Sequence, residues 1–179
     1  MSALTLDRLF ALLEDYVHRT GRRLDVLLVG RLALYAYGSQ EARTEDVDAE
    51  LDQDVEEVGT FLKQHGIPSN LSENISGWSI VSLPPGYRHR ARVLHQRGQL
   101  RVLLLDPVDF VVSKLRRGTD QDFADAEFVA RQHHVAAADV SAAADAAIAA
   151  SPKDTALFVF RKAVALFLQR LAGGQGASS

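Results

Sequence analysis

An α/β or α+β fold, with a mixed sheet flanked by helices and a helical segment at its C-terminal end, is predicted by three features of this sequence. Short apolar runs alternate with amphipathic stretches of helical period in the first third. Strand-like segments flank a glycine-containing turn in the middle, and from Asp106 onward the apolar residues recur at helical spacing.

Leu4 to His18 opens the chain as an amphipathic helix, with Leu6, Leu9, Phe10, Leu13 and Val17 on one stripe. Asp25 to Gly30, DVLLVG, is a short apolar run bounded by polar residues and reads as a buried strand. Gly30 then opens a helix through Tyr37, closed by Gly38-Ser39. Asp46 to Leu51 alternates with period two: Val47, Ala49 and Leu51 point one way, and Asp46, Asp48 and Glu50 the other. Asp54 to His65 returns to helical period and stops at Gly66. Trp78 to Leu83 reads as a strand ended by Pro84-Pro85-Gly86, and Ala91 to His95 with Leu100 to Leu105 as a hairpin about Gln96-Arg97-Gly98-Gln99. Asp106-Pro107 has the cap and first-position chemistry of a helix start. Helices over Asp120–His133, Ala136–Ala150 and Pro152–Leu171 follow, the last with Ser151 as its cap.

The 179 residues, 47% of them hydrophobic, suffice to bury a substantial core. No cysteine is present, which excludes disulfides, thiolate chemistry and cysteine-ligated metals. The net charge of −3 does not mark a polyanion-binding protein. The N-terminal stretch MSALTLDRLF has neither a basic leader nor an unbroken apolar run, so no signal peptide or membrane span is expected and a cytoplasmic setting is.

The alternating segment Asp46–Leu51 carries the chemistry. Residues two apart on a strand project side by side, so Asp46 and Asp48 bring two carboxylates together. Their repulsion is relieved by a cation, and hard oxygen donors suit Mg2+ or Mn2+, with phosphate oxygens completing the shell. Gly30, between a strand and a helix, is the expected phosphate cradle, where free backbone N–H groups favour an anion. Against this stands a plain solvated strand edge; Glu50, on the same face, reads as its solvated extension.

At these residues the chain resembles the nucleotidyltransferase superfamily, in particular the minimal bacterial type and the AbiEii-like toxins. The pattern of an apolar strand, a glycine-headed helix and Asp-apolar-Asp is carried by LLVG, RLALYAYG and EDVDAEL. A second block, LLDPVDFVVSKLRRGTDQDFADAEFV, is similar to a downstream family segment and places Lys114, Asp122 and Asp125 at matching positions. The resemblance implies a nucleotidyltransferase-like domain over residues 1–135, C-terminal helices over 136–172 packed on it, and a disordered tail over 173–179. It also implies Mg2+- or Mn2+-dependent transfer of a nucleoside monophosphate from a nucleoside triphosphate to an RNA or protein hydroxyl. Asp46 and Asp48 would hold the metal and act in catalysis, while Gly30, Arg31, Ser39 and Lys114 would bind the nucleotide. A role as a toxin–antitoxin component follows from the same likeness, with a cognate antitoxin or a second copy as partner.

Two positions depart from the family pattern. Arg31 stands where Gly or Ser is usual, and no later strand supplies a third carboxylate; Asp106, the nearest acid, reads as a helix cap. A non-catalytic protein that binds a nucleotide or partner on the same fold is therefore the alternative. Asp122 and Asp125 share a helical face suited to ion pairs with Lys114, Arg116 or Arg117. The basic run Gly86–Gly98, with Tyr87 among its arginines, fits either RNA contact or a protected strand edge.

Overall fold

The structure, a computed structural model, describes residues 3–174. It divides into two compact units, residues 1–75 with 91–105 and residues 76–90 with 106–179. The helices that follow Leu105 fall together in the second of these units. Of the expected disordered tail, Gly173 closes the last helix, and the residues beyond 174 lie outside those described.

The first unit is built on a five-stranded mixed sheet in the order β3-β2-β1-β5-β4. Helix α1 (Leu6–Thr20) starts with the Thr5 hydroxyl accepting from the Arg8 N–H and ends at Gly21 in the left-handed region, φ 65°. Strand β1 (Leu24–Val29) is buried almost throughout because neighbours pair on both of its edges: β2 (Val47–Leu51) antiparallel and β5 (Leu100–Leu104) parallel. Helix α2 (Gly30–Ala36) packs on β1 and β2, and α3 (Val55–Gln64) on β3 (Ser69–Ser72). Helix α1 packs on β5 and against α3. Strand β3, paired parallel to β2 at the sheet edge, has the sequence SNLS and no apolar signal from which to be read. The expected hairpin is present: β4 (Arg92–Arg97) turns through Gly98-Gln99 into β5, and Gly98 adopts φ 57°, which favours glycine.

The second unit is helical. A single turn, α4 (Tyr87–Arg90), precedes α5 (Pro107–Leu115), α6 (Asp120–Gln132), α7 (Ala137–Ala149) and α8 (Ala156–Gly173). Helix α5 is its centre and touches the three helices after it. Val111, Val112 and Leu115 meet Phe123 and Ala126 of α6, Val140, Ala144 and Ala147 of α7, and Phe160, Val164 and Phe167 of α8. Ala144 and Ala147 lie on the buried stripe of α7.

Trp78 to Leu83 is not the expected strand. A 3-10 turn over Ile75–Trp78 leads into an irregular stretch in which Val81 and Leu83 are buried. Side chains replace the missing ladder. Ser76 Oγ accepts from the Leu83 N–H at 2.9 Å, Ser151 Oγ from the Ser82 N–H at 2.8 Å, and the Arg116 guanidinium donates to the carbonyls of Ser76 and Val81 at 3.0 and 3.1 Å. Burial pulls the Arg116 pKa down to about 10. Ser151 is thus occupied and does not cap α8, which starts at Ala156, after Thr155, with Asp154 accepting from the Ala156 N–H at 2.8 Å.

Two buried aspartates of α6 anchor the α5–α6 connection. Asp122 takes the guanidinium of Arg117 on both oxygens, at 2.7 and 2.8 Å, and completes a capping box with Thr119. Burial alone would raise its carboxyl, but the bonds from Arg117 and Thr119 outweigh it and hold the group below the ordinary 3.8. The charged form therefore stabilises the fold fully above that value, and the contribution is lost as pH falls through the lower, folded-state pKa. Asp122→Asn is expected to cost about 3 kcal/mol at pH 7. It should also flatten the acid limb of stability below about pH 4, as measured by urea unfolding of both proteins across pH 2.5–7. An acid limb as steep in the variant as in the wild type would reject this role for Asp122.

Candidate functional site

Register places the site. In the antiparallel β1–β2 pair, Val29 stands opposite Asp48, so the last residue of β1 and the second of β2 are neighbours at the point where the chain turns into α2. Gly30 sits on that turn with φ 68°. A Cβ on Gly30 would lie 2.3 Å from Asp48 Oδ2 and 3.1 Å from its Cβ. Glycine is thus required twice over, by the left-handed backbone and by a carboxylate that occupies the space of a side chain. The space that a side chain at Gly30 would take is the seat of the Asp48 carboxylate.

The expected two-residue alternation holds along β2, with Val47, Ala49 and Leu51 wholly buried on one face. The expected strand Asp46–Leu51 nevertheless begins one residue later, at Val47, which leaves Asp46 exposed in the bend before it. There its carboxylate accepts a hydrogen bond from the Thr44 hydroxyl, and its own N–H donates to the same oxygen at 3.3 Å. Asp48 is half-buried, and Glu50 is only 5% exposed. Glu50 is therefore no solvated extension: its Oε2 accepts from the Ile75 N–H at 2.9 Å. A backbone contact of this kind fixes the chain after β3 and occupies the carboxylate that shares a face with Asp48.

Arg31, the first side chain of α2 beyond Gly30, reaches over the connection to β2. Its Nε and one terminal nitrogen each approach a carbonyl at 3.4 Å, those of Arg43 and Glu41 respectively. The guanidinium thereby braces the loop that delivers Thr44 and Asp46. Ser39 lies beyond the far end of α2, a helix of seven residues, about 10 Å, from Gly30. Its N–H donates to Leu34 O and its carbonyl accepts from the Ala42 N–H, so it closes the turn at that end.

Lys114 belongs to the second unit. Its ammonium lies 2.9 Å from Asp125 and 3.8 Å from Asp122, and over the Phe110 ring at 5.5 Å. The three residues matched in the downstream block form a buried ion-pair cluster, as their spacing on a helical face led us to expect. Asp106 caps α5, accepting from the Val108 N–H at 3.0 Å. The basic run is divided between α4 and β4. Arg90 grips both oxygens of Asp109 at 2.9 and 3.0 Å, while Glu14 takes His95 at 2.7 Å and Arg97 at 3.2 Å. Much of its charge is matched within the chain.

Among the described residues no three His, Asp or Glu side chains gather as a metal-binding group. Asp48 lies at the turn from β1 into α2 and Asp46 in the bend before β2; as hard-oxygen donors, two carboxylates would suit a Mg2+-type cation whose remaining positions are filled by water and phosphate. The donor set fits such an ion at that level.

The packing of Asp48 on Gly30 sets a double-substitution test. Gly30→Ala should destabilise the protein by about 2–4 kcal/mol, combining left-handed strain with the clash. In an Asp48→Ala background the same change should cost only about 1–2 kcal/mol, since the carboxylate is gone. Equal costs in the two backgrounds, measured by urea unfolding, would show that the two side chains do not compete for one space.

The chain resembles a crystal structure of an antigenic nucleotidyltransferase-like protein from Paracoccidioides brasiliensis, with a TM-score of 0.54 over 98% of this chain and 94% of that one, at 16% identity. That likeness is one of fold. No curated protein matches the sequence. Residues 5–148 match the model of the family described as nucleotidyltransferase of unknown function (DUF6036), and with most of its length covered the chain belongs to that nucleotidyltransferase family.

Proposed function

We propose that the protein transfers a nucleoside monophosphate from a nucleoside triphosphate to an acceptor hydroxyl on RNA or protein, with Mg2+ or Mn2+ held by Asp46 and Asp48. The observation that carries this reading is the Asp48 carboxylate seated against Gly30 at the end of β1. Family membership supplies the class of reaction.

Each side chain has a distinct task. Asp48 is held in place by strand pairing and by the absence of a side chain at Gly30, so its carboxylate needs little reorganisation to act. Asp46, tied to Thr44 and braced through Arg31, completes the pair from the loop. The cation, when bound, supplies charge neutralisation at the triphosphate. In the transfer the acceptor oxygen bonds to the α-phosphorus, the bond to pyrophosphate breaks, and pyrophosphate leaves. The acceptor proton passes to solvent or to the exposed Asp46, because Glu50 is buried and engaged with the Ile75 N–H. Phosphoryl transfer rests mainly on positioning and electrostatics, so weak base assistance slows it without abolishing it.

Glu50 being spent on the backbone, and Arg31 being spread over the loop, favour a second reading: a nucleotide- or partner-binding protein on this fold that does not turn over. Incubation with each α-labelled nucleoside triphosphate, Mg2+ or Mn2+, total RNA and total protein separates the two. Transfer predicts labelling that falls at least about 100-fold in Asp48→Asn. Labelling that survives in that variant rejects the assignment of Asp48. No labelling by any form, with nucleotide binding retained by calorimetry, establishes the non-catalytic reading. The toxin role rests on the sequence resemblance alone, and requires that expression of the wild type, but not of Asp48→Asn, arrests growth.

A further inference from the structure

We infer that the outer face of α8 docks an acidic amphipathic helix of a partner protein. This inference is independent of the transfer chemistry.

Helix α8 is apolar on two sides. Phe160, Val164, Phe167 and Leu171 face the core of the second unit. Phe158, Val159 and Leu166 face outward and are 69%, 68% and 42% exposed. With Lys162 between them they follow i, i+3/i+4, i+7/i+8 spacing, a stripe about 12 Å long. A solvated helix normally keeps such positions polar. Three large apolar side chains on one outer face, with Ala165 exposed beside them, form the anchors by which a groove or helix reads a helix.

Charge selects the occupant. Between Ala156 and Gly173 there is no Asp or Glu, while Arg161, Lys162 and Arg170 are present, in a chain of net charge −3. Arg170 is partly engaged, at 3.8 Å from Glu127 and over the Phe123 ring. Arg161 and Lys162 are exposed and make no ion pair among the described residues. The preceding acid, Asp154, has one carboxylate oxygen on the Ala156 N–H. Cations flanking an apolar stripe are complementary to a helix with its own apolar stripe flanked by carboxylates.

A second copy is a poorer fit. Pairing α8 with its twofold mate so that Phe158 meets Leu166 sets Lys162 against Lys162 of the mate, with Arg161 alongside. Like charges at the centre of an isologous contact oppose it. A lipid surface has little to hold, since the opposite stripe of α8 is committed to the protein core.

The test uses the full chain and three synthetic 18-residue helices that share one leucine stripe, flanked by Glu, by Lys or by Gln, titrated by fluorescence anisotropy. The Glu-flanked helix should bind at least tenfold more tightly than the others, and more weakly as salt rises. Phe158→Ser with Leu166→Ser should weaken it at least tenfold, and Arg161→Glu with Lys162→Glu should transfer the preference to the Lys-flanked helix. These side chains are exposed, so circular-dichroism melts should stay close to wild type and separate lost binding from lost folding. Binding of all three helices equally, or of none, overturns the inference. So does preferential binding to anionic vesicles of phosphatidylglycerol, or sedimentation showing a dimer that the serine variant dissociates.

Discussion

Everything at the candidate site depends on the absence of one carbon atom. A methyl group at Gly30 would stand where the Asp48 carboxylate lies, so the turn from β1 into α2 and the position of Asp48 form a single constraint. The pairing of Val29 with Asp48 brings the two strands to that point, and the left-handed turn at Gly30 lets the chain leave the sheet without colliding with the acid. The loop before β2 then has to return close by, and Arg31 spans it from the first turn of α2. A half-buried carboxylate is thereby positioned by the backbone geometry of the turn.

Glu50 shows how differently a neighbour on the same face is used. Two residues along the strand, it is buried and binds a backbone N–H, so β2 changes from site to scaffold within one repeat of its pleat. The second unit relies on the same economy of polar groups. Arg116 and two serines, Ser76 and Ser151, serve the backbone of an irregular segment, and Lys114, Arg117 and the aspartates of α6 close a connection. Each is a polar side chain spent on holding chain that has no strand partner.

This division explains what the sequence disclosed. The apolar run of β1, the alternation of β2, the glycine turn of the hairpin and the proline-capped start of α5 are local signals, and each element lies within a residue or two of its expected bounds. The Asp48–Gly30 relation was legible as a pattern, although its physical content, an acid filling the space of a missing side chain, needs the strand register. Trp78–Leu83 misleads because its alternation reflects the burial of Val81, in the helical core, and of Leu83, with serines and an arginine standing in for a neighbouring strand. Strand β3 is silent because an edge strand of SNLS is recruited by β2 and not by its own composition. Glu50 looks solvated because the partner that buries it, Ile75, lies 25 residues away.

The place of β5 between β1 and β4 bears on how the chain emerges during synthesis. β1 is paired with β2 early, but its other edge waits for β5, and the Asp25–Arg101 contact that marks their register spans 76 residues. Until that length has left the ribosome, an apolar strand presents one row of unpaired N–H and C=O groups. The nascent protein therefore passes through an interval in which the strand leading to its site has one edge unpaired, and the residues made in that interval include those of the second unit's first segment. The fold places a premium on rapid closure of the β4–β5 hairpin, whose two-residue turn is the shortest-range contact able to deliver the missing strand.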